Sequence, residues 1–141
     1  RQLRLSPDAV VNLGSSKLTV RSQTLLWDTM AEIIRSDTPL SLTTSSGNQI
    51  QGDRGTFDLK AQIVTLDGSI QGHQMDPVGQ LWADRVQWAI EGDRLEASGN
   101  VRYEQPSTGF KIEGNQAIGH LNRQEIQVSG SSRVKTVYTL P

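Results

Sequence analysis

The chain has 141 residues, a formal net charge of −1 and no cysteine, with 35% hydrophobic and 5% aromatic residues. That length supports one domain with a real but thin core, and the missing cysteine excludes a disulfide framework, a thiolate zinc site and a cysteine nucleophile. Acids and bases are interspersed with no basic stripe, which gives a nucleic-acid role no support. No apolar run approaches the ~18 residues of a membrane span.

Thirteen glycines and abundant Ser, Thr and Gln point to a turn-rich β protein. No signal peptide precedes the first elements, and the abrupt start at Arg1 suggests that a leader or anchor has been removed. Near the start, Ser6 can cap a short helix over Pro7–Leu13, with Pro7 at its first position. A strand is expected near Leu18 or earlier.

From Val20 onward one pattern recurs. VRSQTLLWD, IQGDRGTFD, LWADRVQWA and IEGNQAIGH begin at Val20, Ile50, Leu81 and Ile112, spaced by 30, 31 and 31 residues. Each opens on an aliphatic residue. Two residues later stands a small one: Ser22, Gly52, Ala83 or Gly114. Five further on stands an aromatic in three copies, Trp27, Phe57 and Trp88, and Gly119 in the fourth. Such a chain is a stack of similar units, none able to bury its apolar face alone. The reading is a single all-β domain over 1–141, with four units near 18–44, 48–74, 79–109 and 110–137.

The apolar residues change parity inside every unit. Leu81 and Ala83 share one parity, Val86 and Trp88 the other. Side chains of a strand alternate faces with period 2, so a fixed phase change implies a bulge or bend in mid-unit. Second arms alternate too, as in Leu66, Gly68 and Ile70, or Leu95, Ala97, Gly99 and Val101. DLKAQ, IEGDR and LNRQE read as turns between arms. TTSSGNQ, GHQMDPVGQ and EQPSTG read as longer joints, and hold Pro77 and Pro106. A helix competes at LLWDTMAEIIR, where Leu26, Met30, Ile33 and Ile34 have helical spacing. The equivalent stretches of the other units do not look helical, so strand–turn–strand is expected there as well.

Candidate chemistry is sparse. His73 and His120 fall in or near turns and read as surface residues. Ser132 and Lys135 form a nominal S-x-x-K in a strand-like stretch without the motif's other partners. Asp28 and Asp58, like Asp53 and Asp84, recur at equivalent positions, which suits turn and strand-end bonding better than acid–base work. No phosphate-cradling glycine loop occurs. The chain reads as a non-enzyme without cofactor or metal.

The pattern apolar–x–small–Asp/Asn–x–x–x–aromatic, then a turn, then Leu–x–x–x–Gly–Asn–Val resembles the OstA-like repeats of the lipopolysaccharide-transport proteins LptA and LptC. LWADRVQWAIEGDRLEASGNVRYE, from Leu81 to Glu104, carries it most fully, and the likeness runs from about Leu18 to Val137. The resemblance implies a strongly twisted antiparallel β-jellyroll in the periplasm, a V-shaped open trough whose apolar interior holds acyl chains. It implies end-to-end joining through terminal strands, into homo-oligomers or a bridge with other jellyroll modules. An LptC-type member would be tethered to the inner membrane and dock on its ABC transporter; an LptA-type member would be soluble. Glycine-rich joints lean towards the LptC type. Gly119 and the missing Gly-Asn-Val of the first unit depart from the pattern.

On this reading the trough lining is Val20, Trp27, Ile50, Phe57, Ile63, Leu66, Leu81, Val86, Trp88, Leu95, Val101, Ile112 and Ile126. The small residues would leave space inside and the large rings would form walls. Acyl burial is worth ~0.8 kcal/mol per CH₂ and needs no polar anchor. Apolar residues at period 2 are more often plain core, and Trp27, Phe57 and Trp88 suit packing better than specific lipid contact. Val134, Thr136 and Tyr138 alternate in a last strand that either adds to a partner's sheet edge or simply ends the fold. Two rivals stand beside the lipopolysaccharide conduit. One is a structural module without ligand that acts by strand addition. The other is a carbohydrate-binding or hydrolytic sandwich, which needs outward aromatics or a close carboxylate pair.

Overall fold

The computed structural model describes residues 2–5, 8–13, 16–75, 78–92, 94–120, 125–129 and 135–139. Within them the chain is all β. The first strands are β1 (Gln2–Leu5), β2 (Asp8–Leu13), β3 (Ser16–Ser22), β4 (Leu25–Asp28) and β5 (Ile33–Ser36). Then come β6 (Leu40–Thr44), β7 (Gln49–Gly52) and β8 (Arg54–Asp58). Four long strands follow: β9 (Ile63–Met75), β10 (Val78–Ala89), β11 (Arg94–Gln105) and β12 (Phe110–His120). Two short ones end the chain, β13 (Glu125–Ser129) and β14 (Lys135–Thr139).

All of them join one antiparallel sheet that forks. One leg contains β2, β3, β6 and β7, and continues through residues 70–75, 78–83, 101–105 and 110–114 of the long strands. The other contains β1, β4, β5 and β8, continues through residues 63–67, 85–89, 94–98 and 116–120, and ends in β13 and β14. The long strands therefore belong to both legs, and the register breaks where they cross. The breaks lie between Ala83 and Arg85 against β9, and between Ser98 and Val101 against β12. These are the mid-unit bends that the parity change predicts. In the first two units the bend is a complete strand break, after Ser22 and after Gly52.

Each break is built from a glycine and a polar partner. Gly68 (φ 85°) and Ser69 (φ 46°) bulge together opposite Asp84, and Gly99 (φ 78°) and Asn100 (φ 50°) form the equivalent bulge one strand pair on. Positive φ puts a Cβ too near the following carbonyl, so glycine is the cheap occupant. Packing adds a second demand: a Cβ on Gly68 would lie 2.5 Å from Asp53 Oδ2, and one on Gly99 2.5 Å from Asp84 Oδ2. Asp53 also donates its own N–H to the Asp67 and Gly68 carbonyls at 3.1 and 2.9 Å. The recurring aspartates thus serve backbone geometry.

The tips of the second leg are tight turns. Asp28 Oδ1 accepts the Met30 and Ala31 amides at 3.1 Å each, and Asp58 Oδ1 accepts the Ala61 amide at 2.9 Å. The Ala31 amide above all, with Met30, holds the Asp28 carboxyl below its usual pKa. Successive tips are bonded to one another, Leu59 N–H to the Glu32 carbonyl at 2.9 Å and Ile90 N–H to the Gln62 carbonyl at 3.1 Å.

The LLWDTMAEIIR stretch forms the expected strand, turn and strand, as β4 and β5. Two expectations are corrected. The Pro7–Leu13 stretch is strand β2 over Asp8–Leu13, because it pairs with β3 along its whole length. GHQMDPVGQ is mostly strand: β9 runs on to Met75 and β10 begins at Val78, held by continuous pairing from Gln74 and Gly79 to Ala83 and Ile70. His73 is an exposed strand residue within that stretch. The S-x-x-K serine, Ser132, lies outside the described residues.

Gly68→Ala is expected to destabilise by at least the ~1–2 kcal/mol of a left-handed alanine, while Gly92→Ala, where an added Cβ meets nothing within 4 Å, changes little. Urea midpoints of the two variants check this; equal midpoints would contradict the bulge account.

Candidate functional site

The inner face is organised as rows that run across the strands. In the second leg one row reads Leu3, Trp27, Ile34, Phe57, Val64 and Trp88, each the cross-strand neighbour of the next. It continues through Leu95 to Gly119, and the backbone register extends it to Ile126 and Tyr138. In the first leg the matching row is Val20, Leu42, Ile50, Gly72, Leu81 and Tyr103, and it ends on Ile112. Shorter rows nearer the bend carry Leu66, Val86 and Ala97, and Val101 beside Gly114. One apolar cluster joins residues of both legs.

The sequence-predicted lining divides by burial. Val20, Phe57, Leu66, Val86, Val101 and Ile112 are buried at 6% exposure or less. Trp27, Ile50, Leu81, Trp88 and Leu95 are only partly buried and pack against that cluster. Ile63 is a correction: it adjoins Val64 in an unbroken part of β9, so it faces the other way from Val64 and Leu66 and is no part of the cluster. Ile126 holds its register position opposite Gly119. Thr136 and Tyr138 lie in β14 opposite Val128 and Ile126, and Val134 lies outside the described residues.

Several core residues were missed by the sequence reading, among them Leu18, Leu25, Ile34, Leu42 and Tyr103. The available signal was the alternation of Leu18, Val20 and Ser22, and of Leu40 and Leu42. The small residues at the bend also behave differently from expectation. A Cβ on Gly52 would meet Ile70 Cδ1 at 2.7 Å, and one on Gly55 would meet Leu66 Cδ2 at 2.7 Å. Ser22 Oγ bonds Ser36 Oγ at 2.7 Å and Thr38 Oγ1 at 2.9 Å. Small residues there admit neighbouring side chains instead of leaving open space.

Polar groups on this face are few. Tyr103 donates its hydroxyl to Gln74 Oε1 at 2.9 Å and accepts Gln105 Nε2 at 2.9 Å. Burial pushes its phenol pKa up. Gly79 lies beneath it, since a Cβ there would come 2.5 Å from the hydroxyl. The indole N–H groups of Trp27 and Trp88 are buried without an acceptor in the structure, at a desolvation cost of about 1–3 kcal/mol each. An ester or amide carbonyl reaching either ring would relieve it. Among the described residues no group of three or more His, Asp or Glu side chains is placed to hold a metal ion, and no helix is long and apolar enough to cross a membrane.

Four stretches offer open edges among the described residues. β1, β2 and β14 each pair on one side only, as does the 110–114 part of β12; β1 and β2 lie at one end of the forked sheet, β14 and that part of β12 at the other.

The architecture is that of an open β-jellyroll trough. It is similar to the crystal structure of LptH, described as the LptA-homologous periplasmic component of the conserved lipopolysaccharide transport device from Pseudomonas aeruginosa, with a TM-score of 0.69 and 16% identity over 88% of this chain and 95% of that one. At that identity the likeness establishes the fold. No protein-family model matches the chain, and no curated protein matches its sequence.

Phe57→Ala is expected to cost about 3–5 kcal/mol, read from urea unfolding, because the ring is fully buried. For Tyr103 the folded pKa is raised. Its contribution is therefore complete below the unfolded value near 10 and is lost as pH rises through the folded one. Stability measured across the alkaline range should fall less steeply in Tyr103→Phe; an unchanged slope would assign the decline elsewhere.

Proposed function

We propose that this chain is a periplasmic lipid-binding conduit that carries the acyl part of lipopolysaccharide, or a similar glycolipid, and passes it to a neighbouring module. One observation carries the reading: a largely apolar inner face, shared by two legs of a sheet that is open among the described residues, with large half-buried side chains along it. Trp27, Trp88 and Leu95 on one leg, and Ile50 and Leu81 on the other, are the partly buried members of the cluster. Acyl chains would meet these first, and the buried row behind them, with Phe57 at its centre, forms the floor. Each buried methylene contributes ~0.8 kcal/mol, so several suffice for retention without a directional anchor. The similarity of fold to LptH supports the same reading.

Hand-over follows from the open edges. An edge strand presents unpaired N–H and C=O groups to another chain. β14, with Thr136 and Tyr138, at one end, and β1 and β2 at the other, would join modules end to end, either as copies of this chain or as other jellyroll modules and the inner-membrane transporter. Continuity of the inner rows across such a joint would make one long apolar surface. A tether to the inner membrane belongs to the LptC form of this proposal, and a freely diffusing module to the LptA form.

A second reading is a structural module that works by strand addition alone. The tight burial of the inner rows, with Val20, Leu25, Phe57 and Ala97 at 0% exposure, favours it. Photo-crosslinking in cells from positions 57 and 88, with exposed Lys60 as control, separates the two. Glycolipid captured at 57 and 88 but not at 60 is expected. Equal capture at all three, or none, would remove the lipid and leave the structural module.

A further inference from the structure

The outer face of the sheet carries a second surface, of mixed polar and apolar character. Two concavities of about 720 and 740 Å³ lie along the line of the bends, and they share Ser69 and Gln71. They form one groove across β7 and the long strands. One wall is a cross-strand ladder: Gln51, Gln71, Trp82, Arg102 and Glu113, each opposite the next. The other wall is the bend itself, with Asp53, Ser69, Asp84, Asn100 and Asn115. This face is opposite in parity to the apolar one, since Leu81 and Ala83 flank Trp82 on β10.

The wall chemistry is specific. Gln51 Nε2 donates to Gln71 Oε1 at 3.0 Å, and Asn100 Nδ2 donates to Asp84 Oδ2 at 2.9 Å. The Arg102 guanidinium lies 4.1 Å over the Trp82 ring, and its Nε is 3.8 Å from Glu104 Oε1. Trp82 is the large aromatic of an otherwise hydrophilic row. Charges nearly balance here: Asp53, Asp84 and Glu113 line the groove with Arg21 and Arg102. That balance leaves no excess of positive charge to hold a phosphate-rich or acidic ligand. It suits an uncharged chain rich in hydroxyl groups, whose donors meet carboxylate and amide acceptors and whose apolar ring faces meet an indole.

Repeat length points the same way. Ladder positions fall one strand apart, ~4.8 Å, which is close to the rise of a β-linked pyranose in an extended glycan. Four steps span roughly 19 Å at that spacing, room for about four sugars along the ladder.

We propose that this groove binds a linear, uncharged glycan, with the part of the Trp82 ring that Arg102 leaves uncovered as its apolar contact and Gln71, Asn100 and Asn115 as hydrogen-bonding partners. The sugars come either from the saccharide part of a glycolipid or from a free glycan strand. The groove does not depend on the apolar interior, so loss of crosslinking at 57 and 88 would leave it standing.

The test is titration of the isotopically labelled chain with two probes, a linear β-linked N-acetylglucosamine hexamer and an acyl-free saccharide released from glycolipid by mild acid. Saturable shifts at the Trp82 indole are expected with at least one probe, and the probe that binds identifies the source. Trp82→Ala and, independently, exposed Asn115→Ala should each weaken binding by about tenfold or more, while Lys60→Ala does not. The proposal is overturned if neither saccharide binds saturably, if folded Asn115→Ala binds as tightly as the parent, or if a polyserine peptide shifts the same signals equally well.

Discussion

Everything in this fold depends on one geometric conflict. A strand shows alternate side chains to alternate faces, yet each long strand here must bury apolar residues in two legs that do not share a plane. The bulge resolves it. Across Asp84 the inward set of β10 changes from Leu81 and Ala83 to Val86 and Trp88, and across Asn115 that of β12 changes from Ile112 to Ala117; on β11 Leu95, Ala97, Val101 and Tyr103 keep one parity, because Gly99 and Asn100 bulge as a pair. Without that one-residue slip, half of β10 and half of β12 would turn their apolar side to water. The bend is thus what turns a single ribbon into two facing walls, and Asp53 and Asp84, braced against Gly68 and Gly99, hold it.

The same device creates both candidate surfaces. Inside, it folds the rows of Phe57 and Tyr103 towards a common cluster. Outside, it leaves a furrow of mixed character along the line of the bends. The inner surface offers apolar area without direction, and the outer one hydrogen-bonding groups at fixed positions.

Much of the architecture is legible in the order of residues, because alternation is a local signal. The parity change inside LWADRVQWA announces the bulge, and the turns at DLKAQ and IEGDR are where the chain reverses. What fails is what depends on distant partners. GHQMDPVGQ looks like a joint, since Gly, Asp and Pro favour turns, but β9 and β10 pair almost to its middle. Pro7–Leu13 has helix-start chemistry and is overruled by pairing with β3. Ile63 and Leu66 are three residues apart, a spacing that no unbroken strand can place on one face. The outer groove was hidden because Trp82 sits beside Leu81 and reads as one more member of an apolar run. Its opposite orientation becomes plain only when Gln71 and Arg102 are seen on either side of it.

The bonded hairpin tips of the second leg have a mechanical meaning. Glu32 holds Leu59, and Gln62 holds Ile90, so each tip is stitched to the one after it. A single hairpin cannot swing outward without tearing its neighbours' stitches. Widening of the mouth would therefore swing these three tips together about the aspartate-braced crease.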